Sequence, residues 1–265
     1  MTDANTVLFT ISAAGIAELT LNRPAVHNAF DDSVIEQLIT HLESAQNDTQ
    51  VRALVLRSNG KNFSAGADLG WMKRMATNSH QENLDDAARL ATLMQRLNDL
   101  DKPTIALIQG AAYGGAVGLA ACCDIVIASE DARFCLSEVK IGLIPAVISP
   151  YVVRAIGERQ SRRYFITAEP FTAQTAQQFG LVHETVSTPE FFDDTCNRFI
   201  NTLLRNSPQG MKAAKALVFS VSNKVIDPTI IQHTTHQIAD IRVSAEGQEG
   251  LSAFLEKRTP NWVQE

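Results

Sequence analysis

Three short apolar runs constrain this chain more than any other feature: VRALVLRS (Val51–Ser58), PTIALIQG (Pro103–Gly110) and DIVIAS (Asp124–Ser129). They are rich in Val, Ile and Leu, and helix-patterned segments separate them. Such runs read as short buried strands, and strand–helix alternation with short connections lays them parallel in one sheet. The expected class is therefore α/β. Before them, TVLFTIS and IAELTLN flank Gly15 and read as a hairpin. DDSVIEQLITHLESAQ places Val34, Ile35, Leu38, Ile39 and Leu42 on one helical stripe, with Ser33 and Glu36 spaced as a capping box. DDAARLATLMQRLNDL (Asp85–Leu100) reads as another helix.

From about residue 190 the alternation stops. FFDDTCNRFINTLLRN, PQGMKAAKALVFSVS, PTIIQHTTHQIADIRV and AEGQEGLSAFLEKR are all helical in pattern, with Pro208 and Pro228 near two of the starts. A helical layer appended to an α/β body either covers that body or builds an oligomer. The 265 residues suffice for one large domain, or a main domain with a small one.

Net charge is −6 with no basic run, which argues against nucleic acid and anionic membrane as general partners. No apolar run approaches the ~20 residues a bilayer span needs. The first ten residues lack a basic segment followed by an apolar one, so a cytoplasmic location is expected. Cys122, Cys123, Cys135 and Cys196 show no metal-ligand spacing and read as reduced structural thiols. No metal site is expected. His233 and His236 lie at helical spacing without a third ligand, and a solvated face is the simpler reading.

Two joins between strand and helix are built from very small residues. In NFSAGADL the side chains of Ser64, Ala65, Gly66 and Ala67 carry little chemistry, which leaves main-chain N–H groups exposed to whatever approaches. Asp68 is placed to cap the helix that follows. The second join, in IQGAAYGGAVGLA, holds Gly110, Gly114, Gly115 and Gly118. Two such joins can aim two amides at one oxygen, forming an oxyanion hole strengthened by helix N-termini. The second join nearly matches a dinucleotide fingerprint, with Glu130 as the following acid, but Tyr113 stands where a glycine is required. NFSAG fails the G-x-S-x-G nucleophile pattern because Asn62 replaces its first glycine.

Glu138, in RFCLSEVKIGLIP, lies between Leu136 and Val139 and ahead of Ile141, Leu143 and Ile144. Apolar surroundings would raise its pKa and suit it to moving a proton near neutral pH. The alternative is a surface glutamate beside Lys140.

Together these segments resemble the enoyl-CoA hydratase/isomerase (crotonase) family. The matching stretches, in the family's order, are LNRPAVHNAF, NFSAGADL, IQGAAYGGAVGLAACCDIVIAS, RFCLSEVKIGLIP, TAEPFTAQTAQQFGLVHE and EGLSAFLEKRTPNW. The resemblance implies a spiral of ββα units in two sheets over residues 1–200 and a helical trimerisation region over 201–265, as a homotrimer or a hexamer made of two trimers. It implies an acyl-CoA substrate, with coenzyme A entering as part of that substrate and no separate cofactor. It assigns the oxyanion hole to the amides of Ala67 and Gly115, a catalytic acid–base to Glu138, and room for the CoA arm to Ser64, Ala65, Asp68, Leu69 and Gly114. A second family glutamate is expected three residues after the hole glycine, where this chain has Gly118.

One acid suits isomerisation, in which a single carboxylate shuttles a proton. SAGADLGWMKRMA and EVKIGLIPAVISPYVVRAIGERQSRRYFITAE nevertheless resemble the bacterial methylglutaconyl-CoA hydratases of leucine breakdown, a branch that also tends to lack the first glutamate. Tyr113 and Tyr151 are candidates to assist. A distal substrate carboxylate would call for a cation, and Lys73, Arg74, Lys140 and Arg154 are available. Lys257 and Arg258 are placed either to meet CoA phosphates or to complement a helix end. A non-catalytic CoA-binding or RNA-binding role on the same fold is the reading outside enzymology.

Overall fold

The computed structural model describes residues 6–263. β1 (Val7–Ile11) and β2 (Ile16–Leu21) form the expected antiparallel hairpin, with Phe9 opposite Leu19. The chain returns through α1 (Asp32–Asn47) to β3 (Ala53–Ser58), which pairs parallel to β2. α2 (Leu69–Met75) and α3 (His80–Asn98) then lead to β4 (Thr104–Ile108), parallel to β3.

Next come β5 (Ala111–Tyr113), α4 (Gly115–Cys122), β6 (Ile125–Ser129) and β7 (Arg133–Cys135). α5 (Ser149–Thr167), β8 (Phe171–Thr172), α6 (Ala173–Phe179) and β9 (Glu184–Val186) follow. The large sheet has the order β1-β2-β3-β4-β6-β9, and everything in it beyond the hairpin is parallel. A second sheet, β5-β7-β8, has strands of two or three residues. These are too short to show a period of two in sequence.

The three apolar runs are the buried centre of the large sheet: Leu54, Leu56, Ile105, Leu107 and Ile127 are almost fully covered. The α1 stripe packs as its spacing requires, with Val34, Ile35, Leu38, Ile39 and Leu42 all buried. The start of α1 corrects the sequence reading. Asp31, in extended backbone, accepts from the Val34 amide at 2.9 Å, so Ser33 is already helical and is not the cap. A true capping box occurs at α3 instead, where Ser79 and Glu82 cap each other and start the helix ahead of Asp85.

The chain divides into two compact units: one runs to Leu100 and takes in Thr104–Cys196, and the other comprises Asp101–Pro103 and the residues from Asn197 onward. The second unit is helical. It contains most of α7 (Phe192–Leu204), then α8 (Pro208–Val221), α9 (Pro228–Val243) and α10 (Ala245–Glu256). Pro208 and Pro228 each open their helix. None of the four cysteines forms a disulfide and all are buried. Among the described residues no helix is long and apolar enough to cross a membrane.

Candidate active site

The two small-residue joins leave neighbouring strands and run side by side. Phe63 donates to Gln109 O, Ser64 to Ala111 O and Tyr113 to Ser64 O, at 2.8, 2.9 and 3.0 Å. A third segment clamps the first join: the Phe30 amide donates to Gly66 O, and the Asp68 amide donates to Phe30 O. In that parallel bridge the N–H and C=O of Ala67 point away from Phe30. The Ala67 amide has no acceptor among the described residues. Gly66 makes the close passage possible, since its φ is 94° and a Cβ there would sit 3.1 Å from Tyr113 O.

Gly115 is the first residue of α4, so its amide has no partner within the helix, and none exists among the other described residues. The Phe30 ring lies against it, 3.4 Å from where a Cβ would be. Phe30 therefore bridges both joins, with its backbone paired to Ala67 and its ring against Gly115. Sequence reasoning assigned it no role.

Glu138 begins a 3-10 turn, Glu138–Ile141, immediately after the second sheet. It is half-buried, with Oε1 3.2 Å from the position a Cβ on Gly114 would take. Its Oε2 is buried with no hydrogen-bond partner, and no ion pair to Lys140 forms among the described residues. Burial raises its pKa above the ordinary carboxylate value, and a bond from its own backbone amide offsets only part of the rise. The surface-glutamate alternative is thus not what the structure shows. The Glu138 carboxyl group thus lies against Gly114, the residue before Gly115.

The remaining candidates divide. Asp68 caps α2 through Gly70 and Trp71 and pairs with Arg23 at 3.2 Å. Burial works to raise its pKa, but those two amides and the guanidinium together hold it below the ordinary value. Ser64 is fully buried and its hydroxyl accepts from the Gly66 amide, so it braces the join from within. Ala65 and Leu69 are exposed at the surface of the same loop. Gly114 lies between Glu138 and Gly115 with φ +55°. Tyr113 is half-buried in β5 beside Gly66.

Tyr151 has neighbours of its own. It lines a cavity of about 430 Å³ between α3 and α5 with Asp99, Gln95 and Arg154, and it faces Cys122 at the far end of α4 from Gly115.

Gly118 proves to be filled space. A Cβ there would lie 2.3 Å from Ile148 Cγ2 and 3.2 Å from Met94 Cε, so apolar packing occupies the position of a second carboxylate. Arg74 is paired with Asp32, and Arg258 is held by Glu249 and Glu256 near the end of α10, which favours the helix-end reading of that arginine. His233 meets Ser220 Oγ at 3.1 Å.

Arg23 also went unassigned in the sequence. It reaches Asp31, Asp68 and the Ala29 carbonyl and so secures both ends of the Phe30 clamp. Its signal lay in LNRPAVHNAF, where a lone arginine precedes a proline.

A crotonase-type α/β fold with unpaired main-chain amides beside a buried acid matches a known family. Residues 12–265 fit the enoyl-CoA hydratase/isomerase family, and the chain belongs to it. The crystal structure of an enoyl-CoA hydratase from Shewanella pealeana is 51% identical, with a TM-score of 0.95 over 98% of this chain and 97% of its own. The 2,3-dehydroadipyl-CoA hydratase of Escherichia coli is 35% identical over 92% of this chain and 93% of its own length. The mitochondrial Delta(3,5)-Delta(2,4)-dienoyl-CoA isomerase of Dictyostelium discoideum is 30% identical over 92% of this chain and 86% of its own.

Proposed function

We propose that this protein hydrates an α,β-unsaturated acyl-CoA, with a short branched, methylglutaconyl-like acyl group as its substrate. The observation that carries the reading is the Glu138 carboxyl group, whose Oε1 lies against Gly114, the residue before Gly115, and whose Oε2 is buried without a partner. The thioester oxygen accepts from the amides of Ala67 and Gly115. Glu138 takes a proton from water as the water oxygen bonds to carbon 3, and negative charge moves to the thioester oxygen, where the two amides stabilise it. Glu138 then returns that proton to carbon 2, so one carboxylate completes the addition of H and OH.

Ala65, Leu69 and Gly114 leave room for the CoA arm. The exposed Ile141, Leu143 and Ile144 provide an apolar rim just after Glu138. Lys140, exposed in the same turn, suits a distal substrate carboxylate. The similarity to the 2,3-dehydroadipyl-CoA hydratase of Escherichia coli supports an acyl group that carries a distal carboxylate.

The proposed chemistry uses water and substrate alone, with no metal and no redox cofactor, in a cytoplasmic enzyme. A homotrimer or hexamer is the proposed assembly. Val225, Ile226, Phe254 and Leu255 of the helical unit are each at least 77% exposed, more apolar surface than a monomer usually leaves open. Sedimentation analysis tests this, and a monomer refutes it.

Isomerisation of a 3-enoyl-CoA is the second reading, favoured by the packed Gly118, because a single acid suffices for a proton shuttle. Absorbance separates the two. Hydration removes the conjugated enoyl band, whereas isomerisation of a 3-enoyl-CoA creates it. A protein that does neither with any enoyl-CoA is not an enzyme of this kind.

A further inference from the structure

We infer that Asn62 is a positioning residue that sets the relation between the two oxyanion amides, with His27 as its partner; the inference rests on the hydratase reading above. Asn62 lies where the first join leaves β3, and its side chain spans to the second join. Its Oδ1 accepts from the Ala111 amide at 2.9 Å. Gly110, just before Ala111, is needed for this approach, since a Cβ there would lie 2.7 Å from Oδ1 and 2.2 Å from Lys61 O. The carbonyl of Asn62 is held in turn by the Asn28 side chain at 2.8 Å and by Ser58 Oγ at 3.2 Å.

The orientation of the carboxamide follows from the partners. Ala111 donates, so the atom facing it is the oxygen, and the Nδ2 group faces Nδ1 of His27 at 3.0 Å. Nδ1 must then accept, which places the His27 ring proton on Nε2. His27 has left-handed backbone, φ 54°, and its carbonyl accepts from the Ala65 amide at 2.9 Å. Left-handed backbone costs a β-carbon-bearing residue energy, and the bonds on either side of His27 are what hold it there.

Asn62 thus ties together three segments: the loop through His27, the join that carries Ala67, and the join that carries Gly115. Gln109 of the second join also donates from its side chain to Ser58 and Gly60, ahead of Asn62, and the links beyond Asn62 are main-chain bonds, which slide with backbone register. The side-chain bond from Asn62 to Ala111 pins that register four residues ahead of Gly115 and five behind Ala67. An oxyanion hole is sensitive to such spacing, since a displacement of about 1 Å can cost roughly 10²-fold in rate.

The test uses the full chain. Asn62→Ala is expected to lower kcat for enoyl-CoA hydration by roughly 10- to 100-fold while KM stays within about threefold, because the spacing of the two amides matters most where charge develops on the thioester oxygen. Asn62→Asp keeps an acceptor for Ala111 and lets His27 donate from Nδ1, so it should recover most of the lost kcat. A folded Asn62→Ala protein with unchanged kcat overturns the assignment, as does an Asn62→Asp protein no better than Asn62→Ala.

Amide hydrogen exchange supplies a readout that needs no activity. In Asn62→Ala, exchange at Ala111 should quicken at least tenfold while Leu54 and Leu56 of β3 stay protected. Unchanged exchange at Ala111 overturns the role of Asn62. Absence of any hydration by the parent protein overturns the hydratase reading alone.

Discussion

Gly118 gives the sharpest quantitative prediction. In an open helix, Gly→Ala stabilises by about 0.5–1 kcal/mol, because alanine loses less backbone entropy on folding. Here the added methyl would sit 2.3 Å from Ile148 Cγ2, 2.8 Å from Ile148 Cβ and 3.2 Å from Met94 Cε. Ile148 is 3% exposed and Met94 fully covered, so neither can swing into solvent. Overpacking of this kind costs about 1–3 kcal/mol. The net result for Gly118→Ala is a loss of about 1–2 kcal/mol, or roughly 2–8 °C in melting temperature for a chain of this size.

Ile148→Ala alone should cost about 2–5 kcal/mol by opening a cavity. In the double variant the methyl added at position 118 enters that cavity, so the protein should be less damaged than the sum of the singles by about 1–3 kcal/mol. Urea unfolding of the four proteins closes the cycle. A rise in stability for Gly118→Ala, or additivity within ~0.5 kcal/mol, would refute the packing argument. The same geometry implies that Gly118→Glu cannot reinstate a second acid unless Ile148 is shortened as well.

Glu138→Gln should lower kcat by about 10²–10⁴-fold, because it removes the group that moves the proton, and single-turnover kinetics would show the loss. Glu138 must be ionised to accept from water and burial raises its pKa above the ordinary 4.5, so kcat/KM should rise with pH through an apparent pKa higher than that value. A profile with its acid limb at or below 4.5 would contradict the burial argument.

His183 accepts from the Val126 amide at Nδ1, and burial lowers its pKa below the ordinary 6.5. The unfolded chain then binds the proton more readily, so this contribution is complete above about pH 6.5 and is lost as pH falls below it. Unfolding free energies from pH 5 to 8 should rise less steeply with pH in His183→Ala than in the parent, the slope left in the variant including that of His41, whose pKa burial also lowers. Asp68→Ala should cost about 1–2 kcal/mol through the lost cap of α2, and Asp68→Asn should recover much of it. Equal losses for the two substitutions would assign the effect to the Arg23 pair instead.

The resemblance to the family rested on segments that keep their meaning when read in isolation. Small residues at 64–67 and 114–115 and an acid among apolar neighbours at 138 were visible without coordinates, since each records a local need. The clamp by Arg23 and Phe30 was not visible. Its partners lie some forty residues away in Asp68 and Gly66, and nothing in LNRPAVHNAF says where they fold. The surroundings of Tyr151 were hidden for the same reason: a polar side chain on a helix does not reveal which face of the next layer the helix meets.

The sequence by itself determined the hairpin, the three central strands, the stripe of α1 and the helical character of the chain from about residue 190. Hydrophobic period, proline placement and small residues act over a few bonds and are the same in any fold. Only the tertiary structure decided that Asp31 rather than Ser33 caps α1 and that Oε2 of Glu138 goes without a partner. It alone decided that Ile148 fills the space beside Gly118. Those outcomes depend on which distant atoms arrive within a few ångströms, and packing of the whole unit settles that.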